Sequence, residues 1–177
     1  MERAEVTPDP WGAAPVLETD RLVLEPLRVE HAEEMTPVLA DEALHEFIGG
    51  RPESVDELRA RYRRQARGVS DDGDEQWFNW VLRRRDTGAL AGTVQATVLR
   101  DGDQVTAEVA WVVGIDHQGQ GLAREAAVAM ALWLRSRGAT VLVAHVHPDH
   151  AASAGVARAL GLQPTDVVED NETRWES

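Results

Sequence analysis

Between residues 21 and 27 (RLVLEPL) apolar and polar positions alternate, the period of a strand with one buried face. From residue 30 to 39 the apolar spacing lengthens to that of a helix, and Pro37 weakens or breaks it. Ser54 and Glu57 form a capping box, after which Val55, Leu58 and Tyr62 share one helical face as far as Gly68. Residues 71–75 (DDGDE) are too polar to bury and predict a solvated loop, without the ligand spacing of a calcium-binding loop. Three strand-like segments follow, 76–84, 90–99 and 105–113, separated by Asp86-Thr87-Gly88 and Asp101-Gly102-Asp103. Turns this short join neighbours in space, so an antiparallel meander is expected.

The period then changes. Leu122, Ala126, Ala129, Met130, Trp133 and Leu134 recur at helical intervals up to Gly138, which predicts a buried helix. Residues 140–147 are a β-rich run, 154–160 a short helix stopped by Gly161, and 165–175 a hairpin or pair of short strands. Residues 1–16 carry Pro8, Pro10, Gly12 and Pro15 without any period and read as an extended arm. The remainder, 17–177, contains no repeat and no dividing linker, and 177 residues suit a single core.

Composition narrows the chemistry. With 43% apolar and 28% charged residues the chain is expected to fold over most of its length. It has no Cys, and all 18 basic residues are Arg. The first absence excludes disulfides, Cys-ligated zinc, iron-sulfur clusters and a Cys nucleophile. The second excludes a P-loop lysine, a Schiff base and a covalent pyridoxal anchor. Against 31 acidic residues the net charge is −13, which opposes nucleic acid and anionic membranes and suits a cationic or amine partner. The longest apolar stretch, 126–134, is too short to span a bilayer, and acidic residues interrupt the first ten positions where a secretory signal would be apolar. A soluble, cytoplasmic protein that binds neither nucleic acid nor membrane is expected, and a homodimer is left open.

The sharpest local feature is Gln118-Gly119-Gln120-Gly121-Leu122-Ala123, between a predicted strand and the buried helix. Two glycines let the backbone turn tightly with its amides pointing one way, and the helix adds the positive end of its dipole. Such a turn can hold a diphosphate without Lys. A dinucleotide fingerprint would want Gly or Ala at position 124, where Arg124 stands, and no early βαβ unit precedes it. A glycine-rich turn without any ligand would look the same on this segment alone.

The same segment resembles the Gln/Arg-x-x-Gly-x-Gly/Ala signature of the GNAT superfamily of N-acetyltransferases, with Gln118, Gly121 and Ala123 at its positions. Residues 17–24 (LETDRLVL) resemble the opening of the branch related to the Rim ribosomal-protein acetyltransferases. Residues 107–113 (AEVAWVV) are similar to that branch's fourth strand. His150-Ala151-Ala152-Ser153 through Leu160-Gly161-Leu162 is similar to its Asn-x-x-Ser to Leu-Gly-Phe segment. The resemblance runs over roughly residues 17–175 in the expected order. It implies an α/β fold: a mixed, mostly antiparallel sheet of about six or seven strands flanked by about four helices. The fourth and fifth strands would splay apart around acetyl-CoA, the co-substrate.

The resemblance also implies roles. Backbone amides of Gln118, Gly119, Gln120, Gly121, Ala123 and Arg124 would hold the pyrophosphate, and Arg124 would touch a phosphate or simply be solvated. The strand edge at Trp111, Val112 and Val113 would pair with pantetheine amides and polarise the thioester carbonyl. Glu108 would accept the amine proton, directly or through water, unless it points to solvent on the outer face. Tyr is the family's common acid for the departing thiolate, yet the one Tyr here, Tyr62, lies in the early helix. Ser153 would hydrogen-bond the leaving sulfur, although it also stands where a helix N-cap belongs. His150 occupies the place of the family's Asn and would donate to pantetheine.

His145, His147 and His150 form a His-x-His-x-x-His cluster in which the first two could share a strand face as a metal pair, but the role of His150 makes that reading the weaker one and no metal is expected. Arg59, Arg61, Arg63, Arg64 and Arg67 form a basic run on one helix that reads foremost as a solvated face. An esterase built around Ser153 fails because no His follows it. Two functions stay open: direct acetyl transfer from acetyl-CoA to a peptide N-terminus or small-molecule amine, and a non-catalytic acyl-CoA sensor or interaction module.

Overall fold

The computed structural model describes residues 11–177. Eight strands form one sheet: β1 (Leu17–Glu18), β2 (Leu22–Pro26), β3 (Glu75–Arg84), β4 (Leu90–Asp101), β5 (Gln104–Val113), β6 (Val141–Val146), β7 (Gln163–Glu169) and β8 (Glu172–Glu176). Their order is β1-β2-β3-β4-β5-β6-β8-β7. The expected meander is β3-β4-β5, and all neighbouring pairs are antiparallel except β5 with β6. That exception follows from connectivity, because β5 returns to β6 through a long helix, and parallel pairing needs such a crossover. The sheet has eight strands rather than six or seven, since the two-residue β1 pairs with β2 and the C-terminal hairpin contributes both its arms. The hairpin turns at Asp170 and Asn171, with φ of 49° and 64°, a left-handed geometry that these two residue types tolerate.

Five helices are described: α1 (His31–Val38), α2 (His45–Ile48), α3 (Val55–Gln65), α4 (Leu122–Ser136) and α5 (Ala151–Ala159). On one face of the sheet, Leu122, Ala126, Met130 and Leu134 of α4 and Val156 and Ala157 of α5 bury against inward residues such as Leu24, Val94, Ala96 and Val109. On the other, Ala32 and Met35 of α1 and Leu58 and Tyr62 of α3 cover Val81 and Leu90. Burying each of the Leu, Val and Met side chains among them contributes about 1.5–3 kcal/mol. α1 stops at Val38, one residue beyond Pro37, whose missing N–H takes one hydrogen bond from the last turn.

Only half of the capping box at α3 forms. The Ser54 hydroxyl accepts from the Glu57 amide at 3.2 Å, whereas the Glu57 carboxylate turns away to Arg51 at 3.0 Å. The basic run on this helix is largely neutralised: Arg59 pairs with Glu33 and Asp56, Arg61 with Glu53, and Arg67 with Asp71. Residues 1–10 of the expected arm lie outside the described residues. From residue 11 the chain joins the domain, for Trp11 is 1% exposed and meets Trp133 edge-on at 5.7 Å, and the Trp80 indole donates to the Pro15 carbonyl at 2.7 Å.

What matters for function is where β5 and β6 part. They pair at three registers only, Thr106 with Val141, Ala107 with Leu142 and Glu108 with Val143, while β5 stays paired to β4 as far as Val113. Past Glu108, residues 109–113 therefore keep one edge of backbone donors and acceptors free of a strand partner. Two glycines fix this open strand by close approach. A Cβ on Gly92 would lie 2.0 Å from the Val112 carbonyl oxygen, and one on Gly114 would lie 2.7 Å from the Val38 carbonyl.

Candidate active site

A groove of about 570 Å³ runs from the open edge of β5 to the start of α4. Its walls include Trp111, Val112 and Val113, then Gln118, Gly119, Gly121, Ala123 and Arg124, then His150 and Ser153. Gly119 and Gly121 have φ of +75° and +77°, the left-handed region that a side chain would strain. The Gln118 side chain donates to the Val113 carbonyl at 2.9 Å and so ties the loop to the strand end. Arg124 is exposed and, among the described residues, makes no hydrogen bond or ion pair. Gln120 is not among the groove-lining residues, and its carbonyl accepts from Arg21 at 2.7 Å.

A second cavity of about 600 Å³ opens on the α1–α3 side of the sheet, between Leu39, Ile48, Arg51, Leu58 and Arg61 above and Thr93, Gln95 and Ala110 below. Six residues line both spaces: Phe47, Ile48, Trp111, Val112, His150 and Ser153. At this junction the Trp111 indole donates to the Ser153 hydroxyl at 3.3 Å. A hydroxyl has one hydrogen and two lone pairs, so accepting from Trp111 leaves the Ser153 hydrogen free to donate. The His150 ring stacks on Phe47 with centroids 4.3 Å apart and planes 3° from parallel. Burial, reinforced by His147, holds the His150 pKa below the ordinary value, which favours the neutral ring.

Ser153 is not the cap of its helix. α5 begins at Ala151, earlier than the apolar spacing suggests, and His150 holds the cap position, so Ser153 sits inside the first turn with its hydroxyl committed to Trp111. Glu108 alternates on β5 with buried Ala107 and Val109, which turns it to the face opposite α4. It stands at the last paired register before the strands part, with Oε1 3.1 Å from His145 Nε2. It lines a smaller space of about 350 Å³ with Thr97, His145, Glu169, Asp170 and Glu172, and this space shares Gln95, Ala110, His145 and Glu172 with the larger cavity. Burial raises the Glu172 carboxyl pKa, opposed by His145 and His147. The histidines do not assemble a metal centre: no group of three metal-ligating side chains is found among the described residues, and His145 serves Glu108 while His150 serves Phe47.

Sequence reasoning missed the short segment from the turn at Glu42–Leu44 through α2, which brings Phe47 and Ile48 over the junction. Four helical residues carry no period to detect. It also assigned no role to Thr19 and Arg21, which grip the start of α4 through Glu125. Tyr62 is 1% exposed within α3 and lines none of these spaces. Among the described residues no helix is long and apolar enough to cross a membrane.

Comparison with known proteins agrees with this geometry. Solved structures sharing the fold include a protein described as a GnaT-family acetyltransferase from Bordetella pertussis, 28% identical with a TM-score of 0.66, covering 92% of this chain and 97% of the other. The ribosomal L7/L12 α-N-protein acetyltransferase RimL, in complex with coenzyme A, is 15% identical at a TM-score of 0.73, covering 92% and 97%. The microcin C7 self-immunity acetyltransferase MccE, in complex with acetyl-CoA and AMP, is 13% identical at 0.71, covering 90% and 93%. Among curated protein sequences no significant match is found. The acetyltransferase (GNAT) domain family matches residues 21–163, most of the sheet and both walls of the groove, and the chain therefore belongs to that family as an acetyl-CoA-dependent acetyltransferase.

Proposed function

We propose that this chain moves the acetyl group of acetyl-CoA directly to a primary amine, a peptide N-terminus or a small-molecule amine, in a ternary complex. The observation that carries the reading is the junction of two cavities across Trp111, Val112, His150 and Ser153. One space has the glycine turn and free strand edge that suit a diphosphate and pantetheine amides; the other is sized for an amine-bearing group. A thioester lying in the first would present its carbonyl to a nucleophile in the second. Coenzyme A bound to RimL and acetyl-CoA bound to MccE, on the same fold, support the choice of donor.

The chemistry then divides among side chains of this chain. The amine arrives protonated near neutral pH and must lose a proton before or during attack. Glu108, on the acceptor side of the sheet where the strands part, accepts that proton directly or through water. Backbone N–H groups on the open edge of β5 polarise the thioester carbonyl. As the C–S bond breaks, the Ser153 hydroxyl donates to the leaving sulfur while Trp111 holds its oxygen. Neutral His150 offers a ring N–H to pantetheine without placing a charge in the groove. The absence of Cys and Lys favours direct transfer, since no thiol or side-chain amine is available to carry the acetyl group.

Glu108, Glu169, Asp170 and Glu172 around the smaller space make the acceptor side acidic, which supports a protonated amine as the incoming group. The test is incubation with labelled acetyl-CoA and a panel of ribosomal N-terminal peptides, polyamines, aminoglycosides and amino acids, with sequential kinetics expected. Turnover with any amine excludes the non-catalytic sensor. Ping-pong patterns with a trapped acetyl-enzyme would overturn direct transfer.

A further inference from the structure

Residues 19–21 and 120–125 are about a hundred positions apart in sequence yet joined by four hydrogen bonds. The Glu125 carboxylate, in the first turn of α4, takes the Thr19 hydroxyl at 2.6 Å and the Arg21 backbone amide at 3.0 Å on Oε2, and the Arg21 Nε at 2.8 Å on Oε1. The same guanidinium extends NH1 to the Gln120 carbonyl at 2.7 Å. Arg21 is in turn held from behind, its own carbonyl accepting from the Arg85 amide at 2.9 Å while the Arg85 Nε donates to the Thr19 carbonyl at 3.0 Å.

The consequence lies in peptide geometry. In a trans peptide the carbonyl and the next N–H point in opposite directions. Fixing the Gln120 oxygen toward Arg21 therefore directs the Gly121 N–H to the other side, where Gly121 lines the groove and Gln120 does not. Arg21 also neutralises Glu125, a carboxylate that would otherwise repel an anion at this turn. A Cβ on Gly121 would lie 3.4 Å from the Arg21 NH2, so the grip fits closely against glycine.

We propose that Arg21, with Thr19 and Glu125, is a positioning clasp that presets the Gly121 amide for the diphosphate of the donor. The inference rests on acetyl-CoA being that donor. Arg21 acts on the loop through Nε and Nη1, which are engaged by Glu125 and the Gln120 carbonyl.

Three measurements on Arg21→Ala and Arg21→Lys test the clasp. Lysine keeps the charge but cannot grip two acceptors with a planar fork, so both variants should behave alike. In the free protein, amide hydrogen exchange over residues 118–124 should accelerate by about tenfold or more while the sheet stays protected. Affinity for acetyl-CoA should fall by about tenfold or more. The kcat/KM for S-acetylpantetheine, a thioester with no diphosphate, should stay within about twofold of the parent. Unchanged loop exchange, equal losses with both donors, or full acetyl-CoA affinity in Arg21→Lys would each overturn the clasp. Failure of the parent chain to bind acetyl-CoA would overturn the donor reading instead, and the exchange data on the free protein separate the two.

Discussion

The Trp111 indole N–H donates to the Ser153 hydroxyl oxygen at 3.3 Å, a bond that reaches from β5 to α5 across the mouth of the splay. It ties together the two walls between which the thioester would lie, and it fixes the rotor of the one side chain proposed to meet the departing sulfur. Ser153→Ala should lower kcat roughly tenfold or more with acetyl-CoA affinity nearly unchanged, because the lost bond strengthens as charge develops on sulfur. Trp111→Phe keeps an aromatic ring, though a smaller one, and frees the hydroxyl, and a smaller fall in kcat is expected. Steady-state kinetics decide it: an unchanged kcat in Ser153→Ala removes the serine from the mechanism.

Glu108→Gln should reduce turnover by roughly a hundredfold at neutral pH without altering donor affinity. The rate should recover partly at alkaline pH, where more of the amine is already deprotonated. A pH–rate profile alongside calorimetry with acetyl-CoA checks both halves. Full activity in this variant moves the base away from Glu108, to water or to another group.

At Gly121 the backbone has φ of +77°, and a β-branched side chain there costs about 1–3 kcal/mol of strain and crowds Arg21. Gly121→Val should abolish acetyl-CoA binding measured by calorimetry while far-UV circular dichroism remains that of the parent. Unchanged affinity in a folded variant would remove this turn from the donor site.

Tyr62 is buried, which pushes its phenol up to about 12, and among the described residues its hydroxyl finds no hydrogen-bond partner. A phenol that stays protonated longer in the fold than in the unfolded chain contributes stability below its ordinary value of 10.0, and that contribution is lost as pH rises toward about 12. Removing an unsatisfied buried hydroxyl is close to neutral or stabilising. Tyr62→Phe should therefore keep kcat within about twofold, hold or raise Tm, and flatten the alkaline limb of a stability–pH curve. A large loss of kcat would assign the acid to Tyr62 after all.

Legibility in the sequence followed the physics of period. Strands β3, β4 and β5 and helix α4 are long enough for apolar spacing to declare them, and the glycine pair at 119 and 121 marks a turn that few other residues could make. Phe47 was silent, because one aromatic in a four-residue helix has no neighbours in register. The start of α5 lies earlier than apolar spacing shows because its first turn, Ala151 to Ser153, consists of small residues with no large apolar side chain to mark a period. The pairing of Glu108 with His145 could not be read either, since it depends on the one parallel register of the sheet. Long-range register is fixed by the crossover of α4, which local propensity does not encode.

Trp133 meets Trp11 at 74° and Trp80 at 79°, and all three indoles contact the Phe78 ring. Indoles this close and this strongly inclined couple their electronic transitions, so the packed domain carries a chiroptical signature in the near ultraviolet that no isolated tryptophan would give. One ring comes from the first described residue and another from the helix behind the diphosphate turn. The signal therefore reports, without any label, whether Trp11 is seated against α4, the helix that the donor would lean on.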